Sequence, residues 1–391
     1  MTIRLELEDP GLVEFTANVL SCEPADSGRH KVVLDRSAFY PTGGGQPHDT
    51  GTLGSARVVD VTLDGKTVVH AVEGGPLSGA VAGRVDAARR RDHRQQHTGQ
   101  HVLSAVFASE CGAHTASFHL GADHSTIDLD KPVSAEDAAR AENAANDVVE
   151  RDLLVDVTHA SRADLESQRL RKINVPEDVD VVRIVAIGDV DRSHCGGTHC
   201  HRTAEIRLVK VIGVERGKSG QTRVAFLCGD RALKDLAARY DALAEAARVA
   251  TSAWTEVPRL LGAKIAALKD AEKAAKGFSA EIAAALAEAT AGEAPYCRRF
   301  ESAPPAFCRA LATDLARRGR RLALVGGPSP AEAGKIAAVL AFPAGGRDAG
   351  EAVRGLVLRH GGRGGGKGPV AQMDGLSPAA FDAMATELLT P

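Results

Sequence analysis

Four potential metal ligands stand in two tight pairs about a hundred residues apart, "HTGQH" at 97–101 and "CGGTHC" at 195–200, and a chain that uses both must fold so that they meet. On a helix, His97 and His101 lie about one turn apart and point from one face. That spacing alone is weak, and it is not the zinc-protease motif, because Thr98 rather than a glutamate follows the first histidine. The second pair shifts the balance. Cys195 offers a soft thiolate and His199 an imidazole, on a turn made flexible by Gly196 and Gly197, so three nitrogens and one sulfur become available, a set that zinc accepts tetrahedrally. Cys200 and His201 are adjacent alternatives, ranked lower because a neighbour in an extended segment points to the opposite face.

The patterning around these pairs predicts an α+β protein of several domains, since 391 residues is long for one core. Residues 1–88 read as short alternating strands ("VEFTANVLSCE", "HKVVLDRSAFY", "ARVVDVTLDGKTVVHAVE") between Gly, Asp and Pro turns, which suggests a small β-barrel. From Arg89 the period turns helical. Residues 89–230 are expected to form an α/β domain around the zinc site, with a helix through "HTGQHVLSAVFASE", strands at "STIDLD" and "DVDVVRIVAIG", and a helix capped by Ser134.

Residues 231–290 are alanine-rich. They carry the stripes Leu236, Tyr240, Leu243, Ala247, Ala250 and Leu261, Ile265, Leu268, Ala275, Phe278, Ile282 on either side of a break at Pro258, the pattern of an antiparallel helical hairpin. Residues 291–391 read as a C-terminal α/β domain. Its strands are "RRLALVGG" and "IAAVLAF", its helix "DAGEAVRGLVLRH", and "GGRGGGKGPVAQMDG" reads as a glycine-rich loop. A homodimer would form through the hairpin or this last domain.

No apolar run approaches the roughly 18 to 20 residues of a membrane span, and the N-terminus lacks the basic start and apolar core of a secretory signal. Seven scattered cysteines, an odd number, suit a reducing compartment, so the cytoplasm is the expected location. The net charge of −3 gives no global attraction to nucleic acid, but "RVDAARRRDHRQQH" and "DLARRGRRLALV" are locally basic.

Four segments in order, "FYPTGGGQPHDTG", "HTGQHVLS", "FHLGADHSTIDL" and "CGGTHC", resemble the signature segments of the editing domain of alanyl-tRNA synthetases and of the free-standing alanyl-tRNA editing proteins (AlaX type). The hairpin and "GGRGGGKGPVAQMDG" are similar to the C-terminal domain of the alanyl enzymes, so the resemblance is to the long form with that accessory domain. The chain starts at the β-rich region, without a class II aminoacylation domain before it, so alanine activation is not the expected activity.

The resemblance implies hydrolysis of the ester that joins serine, or glycine, to the 3′ end of alanine tRNA, with zinc on His97, His101, Cys195 and His199. A pocket built for alanine rejects a smaller residue or an added hydroxyl by about two orders of magnitude at best, which calls for a second hydrolytic site. In "PTGGGQP", Gly43, Gly44 and Gly45 would present backbone amides to a carbonyl or developing oxyanion. Thr42 and Gln46 flank them as catalytic candidates, and the Thr42 hydroxyl is expected to pair with the serine side chain. His119 would contact substrate or water, or serve structurally; Asp128 is placed beside the substrate as the acceptor that orients a zinc-bound imidazole. Arg89, Arg90, Arg91 and Arg94 run into the first metal pair and would meet acceptor-stem phosphates, and Arg363 and Lys367 would meet phosphate or a turned-out base elsewhere on the tRNA. The competing readings are a non-catalytic zinc-organised RNA-binding module, an editing enzyme for threonine tRNA, and a nuclease with an acidic metal site.

Overall fold

The computed structural model describes residues 1–168, 170–171, 180–217 and 220–390. It divides into two compact units, 1–244 and 245–391.

The first unit begins with β1 (Ile3–Arg4) and a single helical turn, α1 (Leu5–Glu8). There follow β2 (Glu14–Pro24), β3 (His30–Leu34), β4 (Arg36–Ser37), which pairs in parallel with β1, β5 (Gly51–Leu53), β6 (Ala56–Asp64), β7 (Thr67–Glu73) and β8 (Ala80–Val85). Six of these strands pair antiparallel in the order β2-β3-β7-β6-β5-β8, and β8 pairs back onto β2, closing a ring. Strict alternation in β8, exposed then buried at each step, follows the two-residue period of a strand. Val32, Leu34, Leu53, Val61 and Val72 are fully buried among the ring's core residues.

Helix α2 (Ala87–Cys111) leaves the ring. Asp86 caps it by accepting from the amides of Ala88 and Arg89, and Gly112, in the left-handed region at φ 56°, ends it. Nearly every side chain from His93 to Phe107 is buried, polar ones included. Residues β9 (Thr115–Leu120), β10 (Ser125–Leu129), β14 (Val209–Arg216) and β15 (Thr222–Cys228) form a sheet in the order β14-β15-β10-β9. Helix α3 (Ala135–Glu150), with a capping box between Ser134 and Asp137, packs with α2 and this sheet. A second sheet joins β11 (Val155–Ser161), β12 (Val181–Ile187) and β13 (Asp191–His194); Asp178 and Val179 of the expected strand lie outside the described residues. Leu103, Phe107, Ile127 and Phe226 are fully buried in the shared core, each worth roughly 1.5–3 kcal/mol of burial. Gly99 lets α2 approach β15: a Cβ there would lie 2.2 Å from Cys228 Sγ.

Ring and helical region belong to one unit for a reason that lies in Arg90. Its buried guanidinium bonds Asp49 Oδ2 at 3.1 Å through Nε and the carbonyl oxygens of Pro10 and Ala38, so α2 is anchored inside the ring's loops.

Helix α4 (Gly229–Ala250) spans the boundary between the units, and α5 (Val257–Ala289) follows the break at 251–256. Most large members of the two stripes are open: Leu236 and Tyr240 on α4, and Leu261, Ile265, Leu268, Phe278 and Ile282 on α5, are exposed, whereas Leu243 is half-buried and Ala247 buried. Only the C-terminal end of α5 is sealed, by Ala283 and Ala287 against α6 (Pro305–Arg317).

The second unit contains β16 (Tyr296–Arg299), β17 (Ala323–Pro328), β18 (Ile336–Ala341), α7 (Ala349–His360), β19 (Arg363–Lys367), β20 (Val370–Leu376) and α8 (Pro378–Leu389). Its sheet runs β16-β17-β18-β20-β19, with α6 packed on Val325 and Val339 on one face and α7 and α8 on Leu324 and Leu340 on the other. The glycine-rich loop expected at 361–375 is instead a hairpin: Arg363–Lys367 is an edge strand paired residue by residue with β20. The cause is steric. A Cβ on Gly350 of α7 would lie 1.9 Å from the Gly366 carbonyl oxygen, and one on Gly364 would lie 2.9 Å from Val353, so glycines on strand and helix let the two meet.

Candidate metal centre and its pocket

Helix α2 directs His97 and His101 toward the turn that follows β13, which carries Cys195 and His199, and the four donor atoms all lie within 4.8 Å of one another. Cys195 Sγ is 3.4 Å from His97 Nε2 and 3.3 Å from His199 Nε2. A tetrahedral zinc with ordinary Zn–N and Zn–S bonds would set those edges at about 3.5 Å, so these two edges already fit such a site. Cys200 and His201 are not in the cluster. Cys200 is buried in the apolar core, and His201 lies 3.6 Å from Asp9.

The outer nitrogen of each histidine is held from behind. His97 Nδ1 donates to Gln46 Oε1 at 2.8 Å, His101 Nδ1 to Asp191 Oδ2 at 2.8 Å, and His199 Nδ1 to Thr98 Oγ1 at 3.3 Å. With the proton on Nδ1, every Nε2 turns a lone pair inward, the tautomer a metal requires. Gln46 is in turn fixed by Thr198, accepting from its amide and donating to its hydroxyl. Asp191 also accepts from Arg171 at 2.6 Å and from Ser193 at 3.1 Å. Burial alone would raise the Asp191 carboxyl, but the hydrogen bonds and charges of His101 and Arg171 outweigh it and hold it below the usual range. Burial would likewise raise the Cys195 thiol, whereas the neighbouring His97 and His199 draw it well below its ordinary value, toward the thiolate a metal binds. Gly197 makes the turn possible, because a Cβ there would lie 2.1 Å from the His97 ring. Arg183 pins the same turn by donating to the carbonyls of Cys195 and Gly197.

His97, His101 and Cys195 of the cluster line a cavity of about 660 Å³, whose other walls include Tyr40, Thr42, Gly43, Gly44, Phe118 and Arg171. Gly43 and Gln46 close a tight turn by exchanging backbone hydrogen bonds, and the Thr42 amide donates to Val61, so the amides of Thr42 and Gly43 are already spent. Gly45 faces Phe118, whose carbonyl oxygen would lie 2.8 Å from an added Cβ. The Thr42 hydroxyl is not idle: it accepts from the His48 amide and sits 3.0 Å from His48 Nδ1, which also lies 3.2 Å from Asp60.

Several expected residues lie elsewhere. Gln46 stands behind His97 as a positioning residue, not in contact with the cavity. His119 is exposed, because strand parity turns it away and puts Phe118 at the pocket, stacked 5.3 Å from the His97 ring. Asp128 is not the imidazole acceptor: it pairs with Arg223 and Ser117 on the sheet, and Asp191 takes the role. Arg90 is fully buried and Arg94 bonds the His199 carbonyl and Glu205, so both brace the site and neither is open to phosphate. Arg89 is half-buried and Arg91 exposed. Arg363 and Lys367 are exposed on the edge strand, Arg363 within 3.4 Å of Glu332 and 3.2 Å of Asp374.

The described residues thus bring three histidines and one cysteine into a single buried cluster that could hold a metal ion. Residues 182–225, which include Cys195 and His199, match the family described as "Threonyl and Alanyl tRNA synthetase second additional domain". The chain is 39% identical to the "Alanyl-tRNA editing protein Aarsd1" of Mus musculus over 238 residues, 56% of this chain and 57% of that protein. It is 36% identical over 388 residues to the "Alanine--tRNA ligase" of Pyrobaculum calidifontis, 95% of this chain and 42% of that one. A solved structure, the C-Ala domain from Aquifex aeolicus alanyl-tRNA synthetase, matches 25% of this chain and 94% of its own at 22% identity and a TM-score of 0.22, too low to bear on the fold. The chain spans about half the length of the editing proteins it matches. It is thus similar to alanyl-tRNA editing proteins and to part of an alanine–tRNA ligase.

Proposed function

We propose that the pocket hydrolyses the ester linking serine, or glycine, to the 3′ end of alanine tRNA, acting in the cytoplasm. The observation that carries this reading is the convergence of three Nε2 atoms and one thiolate beside a cavity lined by Pro41, Thr42, Gly43 and Gly44, in a relative of alanyl-tRNA editing proteins. Zinc suits the donor set, and when bound it would supply positive charge at the ester end of the pocket.

The chain's own groups do the rest. Gln46, Asp191 and Thr98 keep the histidines in register; Phe118 and Tyr40 wall the cavity against bulk water; the Gly44 amide is the candidate to meet an oxyanion. Thr42, pinned by His48, would offer its oxygen to the hydroxyl of serine, and alanine would leave it unpaired. No helix among the described residues is long and apolar enough to cross a membrane. A homodimer would use the exposed stripe of α5, and Arg363 and Lys367 would assist tRNA binding.

The test is hydrolysis of seryl-, glycyl- and alanyl-tRNA(Ala), with and without chelator. Turnover of the seryl ester, lost on chelation, supports the reading. A protein that loosens on chelation but never cleaves the ester is the non-catalytic module instead.

A further inference from the structure

A second cavity, of about 600 Å³, opens at the N-terminal end of α2 and does not share a lining residue with the metal pocket. Arg89 and Arg91 come to it from α2, Arg231 and Lys234 from α4, and His93 lies in its wall. Four cations face two acids there, Asp92 and Asp230. Asp92 is occupied by Arg231 at 2.6 Å, and Asp230 is shared by Arg207 and Arg91. Local pairing therefore leaves a net positive cleft, at the helix end where the backbone dipole adds to it.

His93 is the second observation. It is 2% exposed, and its Nδ1 is buried with no hydrogen-bond partner among the described residues. Burial, then the charges of Arg89 and Arg231, push its pKa down to about 3, so the ring is neutral at physiological pH. A proton on Nδ1 is a buried donor in want of an acceptor, and the oxygen of a bound anion is a group that would supply one without adding charge to the ring. A buried neutral donor among arginines is an arrangement for an anion's oxygen.

We infer that this cleft binds a backbone phosphate of the polynucleotide whose 3′ end enters the metal pocket. The inference rests on the reading of the chain as acting on aminoacyl-tRNA. His93 and Arg89 precede His97 on the same helix by about 6 and 12 Å along its axis, a distance that the last nucleotides of a 3′ strand cover. The four arginines of "RRRDHR" thus divide: Arg90 and Arg94 hold the fold, while Arg89 and Arg91 join two cations more than a hundred residues away in sequence.

The experiment uses the full chain with a charge-removing pair, Arg91→Ala with Lys234→Ala, and a control pair on exposed ring residues, Lys31→Ala with Lys66→Ala. For seryl-tRNA(Ala), KM should rise about tenfold or more in the cleft variant with kcat within about twofold, and the salt dependence of uncharged tRNA binding should fall by about one to two in log–log slope. Hydrolysis of a seryl ester of adenosine, which has no phosphate, should be unchanged. Wild-type binding and slope in the cleft variant would overturn the inference, as would an equal loss in the control pair. The binding arm needs no turnover, so if the wild type cleaves neither ester, the hydrolase reading fails while the cleft is still judged by affinity and slope.

Discussion

At Gly197 in the metal pocket, glycine makes room for a side chain; at Gly350 in the second unit, it makes room for a backbone. Gly197 lies where a methyl group would strike the His97 ring, and Gly45 where it would strike Phe118, so "CGGTHC" and "PTGGGQP" bring functional side chains to a cavity. The run "GGRGGGKG" looks similar as text, yet Gly364 and Gly366 lie in an edge strand against Gly350 and Val353 of α7. The same residue type therefore serves precision at one place and close packing at the other. Substitutions in the first should fall on metal and catalysis, and in the second on stability.

The largest effect expected on the pocket side comes from Cys195→Ala or His199→Ala: metal content measured by atomic spectrometry should fall to background and ester hydrolysis with it. Retained stoichiometric zinc would break the comparison at its root. Gly197→Ala should come next, because His97 cannot move away without leaving Gln46; a loss of metal affinity of 100-fold or more is expected by competition with a chelator, with tRNA binding retained.

Gln46→Ala leaves His97 in place but frees its ring, so a smaller loss of about 10- to 100-fold in metal affinity is predicted. On the other side, Gly350→Ala should lower the stability of the second unit by about 1–3 kcal/mol in denaturant unfolding while hydrolysis of a seryl–adenosine ester stays at wild-type rate. A variant that unfolds no earlier would show that the contact between α7 and the edge strand is not close-packed. The smallest effect is Thr42→Val, where loss of one hydrogen bond should reduce the preference for seryl over alanyl ester by roughly tenfold without altering metal content.

The contrast also explains what could be read ahead of the structure. The strand periodicity of the ring, Ser134 as a cap, and each of the motifs "HTGQH" and "CGGTHC" are local patterns, and local patterns survive as text; the meeting of the two motifs followed from the complementary donors they carry. The acceptor behind His101 is not local. The sequence points to Asp128, and only the placement of β13 beneath α2 selects Asp191 instead. His119 and Phe118 differ by strand parity, which a one-residue error in register inverts. The arginines before His97 read as one basic run because a helix's inward face is invisible when it is polar, and α2 is buried despite its polarity. Asp49, Arg171 and Arg183 were missed for the same reason: each acts through a contact made far from its own segment.

Zinc K-edge absorption on the purified, metal-loaded protein tests the central claim most directly. Three imidazole nitrogens and one thiolate predict one sulfur scatterer at about 2.3 Å and three nitrogens at about 2.0–2.1 Å, with the sulfur lost in Cys195→Ala. A bound zinc whose spectrum holds no sulfur, or keeps it in that variant, would contradict the account.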